Sequence, residues 1–475
     1  MRNLRRLALL APALFLLPIA CEDSSSSSGG NFTQEAGPGF EAGPTTTPEA
    51  GPLPDGALPD TFVPPSGVTV TVLDGATPQM GVRVISHDAA GLVTAQATTD
   101  ATGKVKLATA PSMVTVLSMR FGTDPAPVTF AGVAEGDNLR VVGPAASTAA
   151  GSYDVTFVAA DPLITNANSF SIQGPSNGAS ACTSFGSAPD ATINVFLSSD
   201  CLAAKNSLLT TASNPGGLVG FGFKKDLVPP PGTTTVAVSL PAFTAPGTTT
   251  VKASNLPVGT VNTSLLAIAN GQAKTLPGST GGVLDGAGLD FPTPTAFAEA
   301  YQTVITASSS SALRALVRRA ATTAPASVTL PTIDFATALP IISNANVAAP
   351  TPARPDITVV TAAPAALATA DAGVLRISWF LPAVDGTVSW TFVVPPSTTT
   401  FKVPALPADA PDFTPTTDTF RVTDVTFFDA SQLPSYQAAK LLPVTPGFGL
   451  DFIDSAHPLP SDGTLRISHV TPFIP

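Results

Sequence analysis

Proline is the strongest constraint on what this chain can fold into. It supplies 49 of 475 residues, scattered along the whole length, which is about double ordinary usage. It breaks helix interiors and central strands alike, so a helical bundle, a coiled coil or a large parallel-sheet enzyme is excluded as the frame. Wholesale disorder is excluded by the opposite count, because 44% of residues are hydrophobic and only 12% are charged. A β-rich chain of short strands and many turns remains, and its length allows about three domains.

The N-terminus reads as an export signal. Arg2, Arg5 and Arg6 precede an apolar run from Leu7 to Ala20 that contains Pro12 and Pro18 and no acid. That run is too short to span about 30 Å of hydrocarbon as a helix, so residues 1–20 are expected to be a signal peptide. The following Leu17-Pro18-Ile19-Ala20-Cys21 resembles the lipobox of bacterial lipoproteins. The resemblance implies acylation of Cys21 and attachment to a membrane through that lipid, with residence in a bacterial cell envelope, at the outer membrane, facing either the periplasm or the outside.

The cysteines agree with this reading. The chain has three, and an odd thiol in an oxidising compartment is a liability. If Cys21 carries lipid, Cys182 and Cys201 are left to pair as a disulfide; two buried free thiols are the alternative. Loss of Arg2, Arg5 and Arg6 with the leader takes the net charge from −11 to −14. A chain this acidic is repelled by phosphate backbones, so nucleic acid is not an expected partner.

Residues 21–65 are low in complexity. After Cys21 come the serines Ser24 to Ser28 and three Glu-Ala-Gly-Pro segments starting at Glu35, Glu41 and Glu49. Such a stretch has too little bulk to bury and is expected to be a disordered tether. It would reach roughly 40 Å as a coil and over 100 Å in extended polyproline form.

Folded structure is expected from residue 66. Val68, Val70 and Val72 alternate with threonines, Asp74-Gly75 is a turn dipeptide, Gly81 to Ile85 is a second strand, and Thr99 to Gly103 turns into Lys104 to Leu107. This order of strands and turns resembles the carboxypeptidase regulatory-like domain, which implies a small transthyretin-like or immunoglobulin-like β-sandwich over residues 66–143. Val68 to Val72 contains no lysine, which argues against the lysine to asparagine crosslink of related cell-wall domains.

Further on, Thr248 to Pro257 and Thr398 to Pro407 share six of ten residues at an offset of 150. A repeat of this size implies one copied unit, placed at 150–291 and 323–475. Asp385-Gly386 is a strong hairpin signal. With those two residues as the turn, Trp379 pairs with Phe392 and Leu381 with Trp390, which puts all four on one face as a core requires. An exposed aromatic platform for sugars is the alternative. Ala312, Leu313, Leu316 and Val317 recur at helical spacing behind a serine run, so residues 292–322 are expected to be a helical connector. Short helical turns are expected in Leu202 to Leu209 and Ser435 to Leu442.

Residues with chemistry are few. A Gly-x-Ser-x-Gly match at Gly174 to Gly178 makes Ser176 a candidate nucleophile, but no helical period follows it, as a hydrolase elbow needs, and the segment reads as a loop. His87, His457 and His469 are the three histidines. His457 and His469 lie near Asp454 and Asp462 without the spacing of a zinc site. Asp409, Asp412 and Asp418 lack the spacing of a calcium loop, although a calcium site there stays open. Gly216 to Gly220 lacks the lysine and helix of a phosphate loop.

The expectation is an all-β chain: tandem immunoglobulin-like or transthyretin-like sandwiches behind a disordered linker, with one short connecting helix, no cofactor, no metal and no catalytic residue. Its expected role is that of a non-enzymatic, lipid-anchored envelope protein serving as scaffold, spacer or adhesion module. A carbohydrate-binding or cell-adhesion protein, with a cell-envelope polysaccharide or protein as partner, is the alternative, and a secreted serine hydrolase at Ser176 the third reading.

Overall fold

A computed structural model describes residues 67–471 apart from 121–123, 145–146, 159–160, 166, 177–180, 188–191, 279–285, 310–311, 322–326, 348–353, 382–385, 411–412, 415–420, 448 and 451–456. The signal peptide, Cys21, the tether and the aspartates Asp412, Asp418 and Asp454 lie outside the described residues. Within them the chain is all-β.

The strand pairing resolves into four units, and in the first three of them the first strand pairs by one scheme, with an antiparallel and a parallel partner. Unit one holds β1 (Val68–Asp74), β2 (Thr77–Pro78), β3 (Arg83–His87), β4 (Val93–Thr98), β5 (Lys104–Leu107), β6 (Met113–Val116), β7 (Met119–Arg120), β8 (Asp124–Pro125), β9 (Val128–Ala131) and β10 (Asn138–Gly143). Here β1 takes β5 antiparallel and β10 parallel, while β3 takes β4 and β6, and β6 takes β9. The alternation of Val68, Val70 and Val72 explains the first strand, since all three are buried. Gly103 is required at its turn: its φ is +71° and a Cβ would lie 2.5 Å from the Val72 carbonyl.

Unit two repeats the scheme with β11 (Ala149–Thr156), β12 (Ser169–Ser176), β13 (Ala181–Gly186), β14 (Ile193–Ser198), β15 (Asn206–Asn214), β16 (Gly217–Leu227) and β17 (Thr235–Ser239). Its first strand takes β14 antiparallel and β17 parallel, and β13-β12-β15-β16 is the facing sheet. Tyr153, Phe170, Ile172, Val195, Leu208 and Phe243 fill the space between the two. The short helix expected at Leu202 to Leu209 is instead the entry to β15, where Leu208 and Leu209 are fully buried.

Unit three contains β18 (Gly247–Ser254), β19 (Thr260–Ala269), β20 (Gln272–Thr275), β21 (Gly288–Thr293), β22 (Ala300–Ser309), β23 (Ala312–Ala321), β24 (Ser327–Thr329) and β25 (Ile333–Asp334). Again the first strand has an antiparallel and a parallel partner, β21 and β24. After a 3-10 turn at Phe335–Thr337, unit four contains β26 (Ile342–Val347), β27 (Asp356–Thr361), α1 (Pro364–Leu367), β28 (Ala372–Leu381), β29 (Gly386–Val394), β30 (Thr400–Lys402), β31 (Arg421–Ala430), α2 (Tyr436–Ala439) and β32 (Thr464–Val470). Its first strand, β27, takes β30 antiparallel, and β26 fills from upstream the slot that a later parallel strand fills in the other units.

The units are not strung as separate modules. Facing sheets of units three, four and one run edge to edge as one twelve-stranded sheet, β20-β19-β22-β23-β32-β31-β28-β29-β9-β6-β3-β4. The joints are β23–β32, antiparallel, and β29–β9, parallel. This corrects the placement of copies at 150–291 and 323–475. The related segments occupy different positions in the scheme, since Thr248 to Pro257 lies in a first strand and Thr398 to Pro407 runs through β30, a fourth-position strand. Their threonines suit any half-exposed strand, whatever its position.

The connecting helix is also corrected. Ala312–Ala321 is a strand paired over its whole length with β22 and over seven residues with β32. Its apolar residues mimic helical spacing because both faces are buried: Ala315 and Val317 enter one core, Leu316 and Ala320 another. A strand covered on both sides loses the alternation that identifies strands.

The hairpin of β28 and β29, in unit four, keeps its face and changes its register. Trp379 pairs with Val388, Ile377 with Trp390, and pairing ends at Leu381 and Gly386. Gly386 is therefore in the strand rather than the turn, and Asp385 lies outside the described residues. Pairing partners move by an even number, so Trp379, Trp390 and Phe392 still share a face, buried in the core of unit four. Helical turn α2 falls within the predicted Ser435 to Leu442.

Candidate functional site

Polar side chains of this molecule gather at the joints between units. Beside unit two, β20 of unit three is buried on Gln272, Ala273 and Lys274. Ser176, at the end of β12, donates its hydroxyl to the Ala273 carbonyl at 2.8 Å. Lys274 Nζ donates to the Gly174 carbonyl. Gln272 Oε1 accepts from the backbone and hydroxyl of Ser207, and its amide faces Asn206, which donates to the Tyr153 hydroxyl. Gly174 must be glycine, because a Cβ would sit 2.3 Å from the Cys182 carbonyl.

Ser176 therefore lies in a strand end rather than the expected loop, 5% exposed, with its hydroxyl proton held by a carbonyl. Lys274, unremarked in the sequence, is the chemically unusual group of this seam. Burial holds its amine down at about 7, where an ordinary lysine stays charged to above 10.

Between units four and one a polar chain crosses the sheet. Trp390 Nε1 donates to Thr129 Oγ1 at 2.9 Å, Thr129 and Thr115 hydroxyls meet at 2.8 Å, and Thr115 meets His87 Nε2 at 2.9 Å. His87 is fully buried. Desolvation, helped by Arg354 and opposed by Asp88, lowers its pKa from 6.5 to about 4. Between these values the unfolded chain binds a proton that the native state refuses, so stability falls as pH drops from 6.5 toward 4. Unfolding free energies measured across that window are expected to fall by up to about 3 kcal/mol, and His87→Gln should flatten the profile.

The same joint holds Lys440 Nζ 2.6 Å from Asp137 Oδ2, with side chains 0% and 1% exposed. Asp137 also accepts from the Ala134 amide and from Gln437, and Lys440 donates to the Gly132 carbonyl at 2.7 Å. Tyr436 donates to the carbonyls of Ala131 and Val393, and packs its ring near the ammonium. Neither Lys440 nor Asp137 stands out in sequence, because their residues come together only through the fold.

His469 is brought to Asp424, on the neighbouring strand β31. Its Nδ1 lies 3.3 Å from Asp424 Oδ1, Arg376 Nη2 lies 2.6 Å from Asp424 Oδ2, and Thr426 bonds both Asp424 and His469. Burial raises the Asp424 pKa, but the His469 hydrogen bond and the Arg376 charge outweigh it and hold the carboxyl below its usual range. His457 receives the Gln302 amide on its carbonyl, and Asp462 occupies a turn with φ of +56°. Asp409 makes an exposed ion pair with Arg83. Among the described residues, no three His, Cys, Asp or Glu side chains are grouped to hold a metal.

Cys182 and Cys201 form a disulfide. It closes 19 residues of separation, a loop whose constraint in the unfolded chain is worth about 3 kcal/mol. Cys182→Ser with Cys201→Ser is expected to lower unfolding stability by that amount in urea titrations, equally with and without reductant.

The sequence matches no protein family and no curated protein. Among solved structures, the Bacillus anthracis TIE protein aligns at 10% identity and a TM-score of 0.17, over 57% of this chain and 50% of that one. The chicken CNTN1 FN1-FN3 domains align at 11% identity and a TM-score of 0.14, over 55% of this chain and 85% of theirs. This chain thus spans half the length of the first of them.

Proposed function

We propose that the chain is a non-enzymatic, lipid-anchored protein of a bacterial cell envelope, in which an edge-joined β body is carried on a tether from Cys21 as a scaffold or spacer. The single observation that carries this reading is the use of the buried polar groups: at two of the joints they hold one unit to the next. Ser176, Lys274 and Gln272 bind unit two to unit three, while Trp390, Thr129, Lys440 and Asp137 bind unit four to unit one. In finer detail the units are immunoglobulin-like or transthyretin-like sandwiches, the first of them carboxypeptidase regulatory-like. Support comes from units one, two and three, in each of which a first strand with one antiparallel and one parallel partner lies over a facing sheet.

The test is protease treatment of intact cells with mass spectrometry of the N-terminal peptide. Digestion of the folded units together with an acyl mass on Cys21 is expected for surface display. An unmodified Cys21 removes the anchor from the account, and protected units restrict the protein to the periplasmic side.

An adhesion or carbohydrate-binding role has one observation in its favour. Phe185 on β13 and Phe196 on β14 are 77% and 76% exposed, and exposed aromatics of this size are a frequent part of binding surfaces. Both tryptophans are buried, and Phe185 and Phe196 are the most exposed of the large apolar aromatics among the described residues, so a sugar platform is placed on them. Retention of the protein on immobilised envelope glycans, lost in Phe185→Ser with Phe196→Ser, would favour this role. For the hydrolase reading, labelling at Ser176 by a fluorophosphonate probe is the deciding experiment, and none is expected.

A further inference from the structure

Units three, four and one join through strand edges, and among the described residues one edge of the same kind is neither paired, buried nor fastened. In each unit the strand corresponding to β4 ends a four-stranded sheet. In unit four that strand is β29, which pairs along its outer side with β9 of unit one. For unit three it is β20, three of whose four residues are buried beside unit two. The equivalent in unit two, β13, is fastened by the Cys182–Cys201 disulfide and by Ser184, whose hydroxyl donates to the Asn194 carbonyl on β14. Only β3 pairs with β4 among the described residues, and β4 is the last strand of the twelve.

Proteins normally blunt such an edge with lysine, proline or a covering loop, because alternate N–H and C=O groups along it are free to accept another strand. Here residues 93–99 read Val-Thr-Ala-Gln-Ala-Thr-Thr, with no charge and no proline. Thr94, Ala95, Gln96 and Thr98 are exposed. A bulge between Ser86 and His87 interrupts the pairing at the Val93 end and leaves Ala95 to Thr98 in regular register. The remaining strand is thus uncharged and regular, and among the described residues it is uncovered.

We propose that β4 is a self-association edge, pairing with β4 of a second copy across a two-fold axis so that the twelve-stranded sheet continues through two molecules. A second copy is the occupant indicated by the molecule itself. Its own units already extend one sheet through edge-to-edge joints, and identical edges meeting antiparallel form a closed two-fold contact.

The experiment uses the full chain carrying Cys21→Ser, so that no acyl group contributes, in sedimentation over a concentration series with amide exchange measured on the same samples. The expected result is a monomer–dimer equilibrium in which exchange of 93–98 slows as concentration rises. Gln96→Lys with Thr98→Lys places like charges across the contact and is expected to weaken association at least tenfold, with an unchanged melting temperature. A chain that stays monomeric at every concentration overturns the proposal. So does a dimer that is indifferent to the two lysines, or one whose protection lies elsewhere, as a contact through Phe185 and Phe196 would give.

Discussion

Lys440→Met is expected to destabilise the protein by about 3–5 kcal/mol, the usual effect of removing one member of a buried ion pair. The pair is fully enclosed, so the substitution leaves Asp137 buried without its cationic partner and facing a methionine. The loss is local in cause and wide in effect: Asp137 stands just ahead of β10 in unit one, while Lys440 follows α2 in the long connection between β31 and β32. That connection also brings Val444 alongside Val141 of β10 in a parallel bridge, and it covers part of the core shared by units one, three and four. Lys440→Met combined with Asp137→Asn should recover much of the loss, because the asparagine carbonyl can still accept from the Ala134 amide and no charge remains. Urea unfolding of the wild type, both single variants and the double variant closes this cycle. A loss below about 1 kcal/mol for Lys440→Met would mean that the pair behaves as a solvated one.

Lys274→Met is expected to act in the opposite direction. At pH 7 an unfolded lysine is charged and hydrated, whereas in the seam between β20 and β12 burial disfavours the ammonium and lowers its pKa from 10.5 to about 7. The unfolded chain therefore holds the extra proton between these values, and stability rises with pH from about 7 to 10.5. At neutral pH the buried amine costs on the order of 4 kcal/mol. Replacement by methionine removes that cost and leaves the Gly174 carbonyl without its donor, which returns about 1–3 kcal/mol. A net gain of about 2 kcal/mol at pH 7 is the expected result, shrinking toward zero or reversing at pH 10. Chemical denaturation at the two pH values measures both the gain and its slope. A variant that is less stable than the wild type at pH 7 would show that the lysine's hydrogen bond outweighs its desolvation.

The opposite signs of these two effects explain why little of the polar chemistry was legible in sequence. Strands with one wet face could be read directly: Val68, Val70 and Val72 alternate, Asp74-Gly75 turns, and Gly103 sits where only glycine fits. The Cys182–Cys201 bond followed from counting thiols, and the shared face of Trp379, Trp390 and Phe392 from alternation. Strands covered on both faces defeated the same reasoning. In β23 the run Ala312, Leu313, Leu316, Val317 looks helical because three cores divide it, one taking Ala312, a second Leu313 and Val317 and a third Leu316. The register of the β28–β29 hairpin differs because pairing begins at Gly386, which the Asp385-Gly386 signal places inside a two-residue turn. The four-unit scheme was hidden because equivalent strands share pairing, not residues, while the one clear sequence echo joins strands in different positions. Lys274, Lys440 and Asp137 gave no local signal at all, since each acquires its meaning from a partner at least 100 residues away.

Everything proposed for this protein rests on units one, three and four forming one body through β29–β9 and β23–β32. Native-state amide exchange tests that claim most directly. If the sheet is continuous, amides that hydrogen-bond across both joints exchange as slowly as those inside each unit, and Lys440→Met speeds exchange in units one and four together. Joint amides that exchange at the rate of an exposed edge such as β4, while each unit's interior stays protected, would contradict it and return the chain to a string of separate modules.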